Sequence, residues 1–121
     1  MDAGLETIIA AETILSDVDG ARGRLIIRGW PVELLAASMG YEDGLHLLWS
    51  GFFDALPEAS ELGARLGAAR VDAFAHVPKL PTHLAITETV RAGFALLPDD
   101  ETLNTAVNYA AAAPVFAAAA I

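Results

Sequence analysis

The stretch Glu12-Thr13-Ile14-Leu15-Ser16-Asp17-Val18-Asp19-Gly20-Ala21-Arg22-Gly23-Arg24-Leu25-Ile26-Ile27-Arg28-Gly29 sets how this chain begins to fold. It reads as two short β-prone runs around a polar reversal. Ile14, Leu15 and Val18 precede the reversal, and Leu25, Ile26 and Ile27 follow it. Gly20 and Gly23 enter positive φ at little steric cost, and Asp17 and Asp19 can bond a turn's backbone through their side chains. The connection exceeds the two-residue ideal, so the pattern predicts a hairpin with a wide or bulged loop, Thr13 to Val18 against Leu25 to Arg28. A hairpin of this kind carries no chemistry of its own.

Outward from Gly29 the periodicity changes from two to that of a helix. Pro31 suits a first helical position, and a helix over Val32 to Ser38 is stopped by Gly40. Tyr41, Leu45, Leu48 and Phe52 share one stripe, with Gly51 as a left-handed stop. Leu62, Leu66 and Ala69 share another between Glu58 and Ala75. The Pro78-Lys79-Leu80-Pro81 break precedes a helix expected to start at Thr82 as N-cap and to carry Ile86, Val90, Phe94 and Leu97. Acidic Asp99, Asp100 and Glu101 suit the start of a last helix running to Ile121. The expected fold is mainly α: a hairpin over about 12–29 followed by a helical bundle over about 31–121.

The residue string carries a resemblance. Glu12-Thr13, Ser16, Asp19-Gly20, Gly23, Leu25 and Arg28-Gly29 stand at the spacing of the segment that opens the large helical domain of the citrate synthase family. Trp30-Pro31-Val32-Glu33-Leu34-Leu35-Ala36 resembles the short helix that follows. Tyr41-Glu42-Asp43-Gly44-Leu45-His46-Leu47-Leu48-Trp49-Ser50-Gly51 resembles the next one. The match is dense from Leu5 to Gly51 and looser, in the same order, to Ile121. The resemblance implies an N-terminal portion of the citrate synthase large domain over 1–121, with the small domain and the rest of the large domain absent. Family members condense acetyl-CoA with oxaloacetate: a carboxylate takes a methyl proton while a histidine stabilises the enol or enolate. Those groups lie beyond this stretch in the family, so scaffold and dimer contact are what the resemblance implies here. Methylcitrate synthase, which differs in acyl-pocket residues, remains open. So does a non-catalytic helical subunit of a split enzyme.

The chemistry-bearing residues are few. His46 sits among apolar neighbours of a helix and reads as structural. His76 precedes the proline break, and His83 roughly matches a family histidine whose role is itself structural. No His or carboxylate spacing fits a metal, and Gly20-Ala21-Arg22-Gly23 lacks the remainder of a phosphate loop. No catalytic, cofactor-binding or metal-binding residue is therefore assigned, and no activity is expected of the isolated chain. Arg22, Arg24 and Arg28 gather on the hairpin, either as an anion patch or as solvated turn charges.

The chain has 121 residues, a size for one domain, and 55 % are hydrophobic. Much of that is alanine, which buries little area. Two readings stand: an alanine-rich helical protein, or apolar faces that expect a partner or more chain. A net charge of −9 opposes nucleic-acid and anionic-membrane binding. Absence of cysteine excludes disulfides and thiolate chemistry. The acidic start, Met1 to Glu6, lacks the basic and apolar regions of a secretory signal, and a cytoplasmic setting is expected. A membrane span needs roughly 18 or more apolar residues, whereas Asn108 leaves thirteen, Tyr109 to Ile121. The wholly apolar end, without a cap signal, predicts a truncated or split protein. Homodimerisation, or pairing with a separate catalytic chain, is expected through Ile86, Val90, Phe94 and the Ala110 to Ala120 surface.

Overall fold

The computed structural model describes residues 13–121. The start of the resemblance, Leu5 to Glu12, and the leader reading of Met1 to Glu6 lie outside the described residues. The chain divides into two compact units, Met1–Leu48 and Trp49–Ile121.

In the first unit, β1 (Ser16–Asp19) pairs antiparallel with β2 (Arg24–Ile27), Val18 opposite Leu25 and Asp19 opposite Arg24. The expected hairpin is present, its first strand shifted toward the turn. Asp19 explains the shift. Its carboxylate accepts the Arg22 N–H at 3.0 Å and meets the Arg22 guanidinium at 3.2 Å, so the reversal starts after Asp19. Gly23 takes φ +62° there.

A third strand, β3 (Trp30–Pro31), was not expected; it pairs antiparallel with β2. Two residues join them, Arg28 at φ +50° and Gly29 at φ +86°. Positive φ at both central positions is the signature of the tight hairpin turn that matches strand twist. Pro31 is accordingly strand, opposite Ile26, and caps the following helix at ψ 134° instead of opening it. A proline is tolerated there because β3 is an edge.

Helix α1 (Val32–Ser38) ends where Met39 turns extended. Helix α2 (Tyr41–Trp49) starts with the Gly40 N–H bonded to the Asp43 carboxylate at 3.3 Å. Beyond it Gly51 takes φ +83°, the expected left-handed position. No described residue of this unit is fully buried; Leu25, Ile27, Leu35, Leu45 and Leu48 are half-covered.

In the second unit, α3 (Ala59–Phe74) and α4 (Ile86–Phe94) both pack on α5 (Leu103–Ala118). A short 3-10 turn, Val77–Lys79, follows α3. Leu62, Leu66, Ala69 and Ala73 form the buried stripe of α3, facing Val107, Ala111, Ala112 and Phe116 of α5. The alanines let the helix axes approach closely, and Phe116 fills the remaining space. Val77, Leu80, Val90, Phe94, Leu97 and Val115 pack around it. Gly93 allows this, since a Cβ there would overlap the Phe116 ring.

Two helix starts differ from the sequence expectation. Helix α4 begins at Ile86, not Thr82, because Thr82 and His83 form a turn after Pro81. The Glu88 carboxylate reaches back to the Ala85 N–H at 2.9 Å and supplies the cap from inside the helix. Helix α5 begins after Thr102, whose hydroxyl accepts the Thr105 N–H at 3.2 Å, so Asp99, Asp100 and Glu101 precede the helix. Among the described residues no helix is long and apolar enough to cross a membrane.

Candidate functional site

Each histidine belongs to the local structure of its element. His46 lies half-buried on α2. His76 stands in the turn after α3, its Nδ1 3.4 Å from Lys79 Nζ. His83 is exposed in the turn before α4. Among the described residues no group of three or more His, Asp or Glu side chains is placed to hold a metal ion.

The hairpin arginines do not act as one patch. Arg22 is held by Asp19, and Arg24 lies across from that same carboxylate. Arg28 turns the other way: its Nε donates to the Leu47 carbonyl oxygen at 3.3 Å. A cation at the end of α2 complements the helix dipole there. Strained backbone and side-chain bond together fasten α2 to the β2–β3 turn.

One carboxylate is distinctly perturbed. The Thr102 hydroxyl donates to Asp100 Oδ1 at 2.6 Å and the Thr102 N–H at 3.0 Å. These bonds, the hydroxyl's first, then Thr105 and the backbone, hold Asp100 below the usual carboxylate range. Such a group is ionised and weakly basic at neutral pH, suited to a turn rather than to proton abstraction. It lines a groove of about 470 Å³ with Phe52, Phe53, Asp99, Glu101 and Tyr109.

Exposed apolar surface is the more distinctive feature. Val71 and Phe74 on the outer side of α3 are 72 % and 68 % exposed. Phe74 also walls an apolar groove of about 410 Å³ with Arg70, Val77, Pro114, Val115 and Ala118. By contrast, part of the surface expected for association is already used inside the chain. Val90 and Phe94 pack on the Phe116 cluster, and Ala111, Ala112 and Phe116 have no exposure. Phe94 packs against Tyr109 with the rings tilted by 57° and their centroids 4.9 Å apart. Ile86, 48 % exposed, and Pro114, Ala118 and Ala119 are the exposed members of that set. Sequence periodicity located the apolar stripe of α4 but could not say which neighbour covers it.

A family model described as citrate synthase, C-terminal domain, matches residues 4–121. The chain belongs to the citrate synthase family. The citrate synthase of Haloferax volcanii is 46 % identical over 61 residues, which are 50 % of this chain and 15 % of that relative. The aligned part thus spans a small fraction of a citrate synthase. No solved structure matches the chain.

Proposed function

We propose that the chain is the N-terminal segment of a citrate synthase-type acyltransferase, one that condenses acetyl-CoA with oxaloacetate to citrate and CoA in the cytoplasm. The observation that carries this reading is the family match over nearly the whole chain, 4–121. Within that enzyme these residues supply scaffold and dimer contact. The chemistry would need a base beside the acyl methyl group and a donor on the opposite side. His46 lies half-buried on α2, His76 Nδ1 lies 3.4 Å from Lys79 Nζ, His83 is exposed in a turn, and Asp100 accepts from the Thr102 hydroxyl.

Two preparations test the proposal. In a thiol-release assay with acetyl-CoA and oxaloacetate, the isolated chain is expected to stay at background. A chimaera of the Haloferax citrate synthase carrying this chain's residues in place of its aligned stretch is expected to release CoA when oxaloacetate is present. A folded but inactive chimaera, or oxaloacetate-dependent release by the isolated chain, would overturn the reading.

A further inference from the structure

Lys79 is the chain's only lysine, and the turn that carries it sets a base beside it. The Lys79 N–H donates to the His76 carbonyl oxygen at 2.9 Å, which closes the 3-10 turn Val77–Lys79. Side chains three apart eclipse in such a turn, and Pro78 fixes φ in its middle. His76 Nδ1 is thereby held 3.4 Å from Lys79 Nζ. Lys79 is exposed, and among the described residues no carboxylate pairs with it. His76 is half-buried and lines a small cleft of about 100 Å³ with Asp72, Leu97, Pro98 and Asn108.

We propose that Lys79 is acylated by acyl-CoA thioesters, with His76 as the base. A lysine amine attacks in its neutral form, a small fraction of the total at neutral pH. Attack on the thioester carbonyl forms the C–N bond and a tetrahedral adduct that carries an ammonium and an oxyanion. Unless the ammonium loses a proton, the adduct expels the amine and reverts. His76 Nδ1 takes that proton, with its own ring proton on Nε2. The oxyanion then re-forms the carbonyl, and the C–S bond breaks with its electron pair going to sulfur. The imidazolium returns the proton to the CoA thiolate. The products are an Nε-acyl-lysine and free CoA thiol, with nothing oxidised or reduced. Of the other residues lining the cleft, Asp72 alone carries a charge, and a carboxylate there favours the imidazolium as it forms. The step needs a thioester but no oxaloacetate, and it transfers one acyl group per chain. It is therefore independent of the condensation proposed above.

The whole chain incubated with acetyl-CoA, without oxaloacetate, tests the assignment, with modified peptides located by mass spectrometry. Acetylation of Lys79 is expected to run at least about tenfold faster than that of Nα-acetyl-lysine amide in the same solution. An enclosed general base supplies about a hundredfold or more, and an exposed one less. The ratio of the two rates should fall toward one as pH drops and the imidazole becomes protonated. His76→Gln keeps an acceptor for Lys79 but cannot take up the proton, and should bring the rate down to that of the model amine. Circular dichroism checks that this variant folds, and the comparison with the model amine needs the wild-type chain alone. Acetylation of Lys79 no faster than the model amine, or equal rates for wild type and folded His76→Gln, would overturn the proposal. Neither result bears on oxaloacetate-dependent CoA release by the chimaera, so the two readings fail separately.

Discussion

Gly93 and Phe116 show how one missing side chain sets a core. The Phe116 ring occupies the place of a Cβ at Gly93 and has no exposure of its own. Gly93→Ala gains helix propensity of up to about 1 kcal/mol, but forces a fully enclosed ring to move, at a cost of about 1–3 kcal/mol. Net destabilisation is expected in urea unfolding. Phe116→Ala should cost more, about 3–5 kcal/mol, through the cavity it leaves. The two losses should not add in a double variant, since the truncated residue no longer meets the new methyl group. Additive losses would show that Gly93 serves something other than the approach of Phe116.

Asp100 acts at the same scale through protons. Thr102 and Thr105 favour its ionised form, so its folded value lies below the ordinary 3.8. A depressed acid contributes stability above its unfolded pKa and loses it as pH falls through the folded one. The contribution is therefore complete at neutral pH and fades on acidification below about 3.8. Asp100→Asn should flatten that part of the acid limb of a stability-against-pH curve. An NMR titration placing Asp100 at or above the ordinary value would contradict the assignment.

Among elements, the β2–β3 turn places a non-glycine residue at positive φ beside Gly29. Gly29→Val is expected to destabilise the turn by at least about 1 kcal/mol, since a β-branched side chain is strained at that φ. Arg28→Asn should keep the turn, because asparagine tolerates left-handed backbone, and lose the bond to Leu47. Thermal melts of the two variants should separate backbone strain from side-chain anchoring. This turn was also what the sequence reading missed. Arg28-Gly29 between Ile27 and Trp30 had the two-residue spacing of a hairpin, but Pro31 suggested a helix start and concealed it. The helix interiors were legible because Leu62, Leu66 and Ala69 repeat at the period of a helix. The start of α4 was not: Thr82 read as the N-cap, whereas Thr82 and His83 form a turn after Pro81 and Glu88 caps Ala85 from inside the helix. Candidate-site residues were still less legible: the stripe of Val90 and Phe94 did not say what it packs against, and in the structure both are half-buried against the Phe116 cluster.

For the whole molecule, burial is distributed unequally along the chain. The fully buried apolar residues among those described are Leu62, Leu66, Ala69, Ala73, Val107, Ala111, Ala112 and Phe116, all on α3 and α5. Half of them are alanine, so a chain that is 55 % hydrophobic has a narrow core. The described residues before Trp49 contribute none, although their sheet and helices are regular. Hydrogen-bonded backbone without a dry core opens at low free-energy cost, because little apolar contact is lost on opening. Native-state hydrogen exchange of the isolated chain should therefore be graded. Amides in α3 and α5 should exchange only through global unfolding, while those of β1, β2 and α1 exchange through local opening several kcal/mol cheaper, by the usual spread of sub-global openings. Addition of a citrate synthase remainder that covers the exposed apolar face of residues 13–48 should slow the second group more than the first. Uniform protection in the isolated chain would mean that β1, β2 and α1 share one cooperative unit with α3 and α5, and that half-buried Leu25, Ile27 and Leu35 stabilise it as strongly as the buried stripes do.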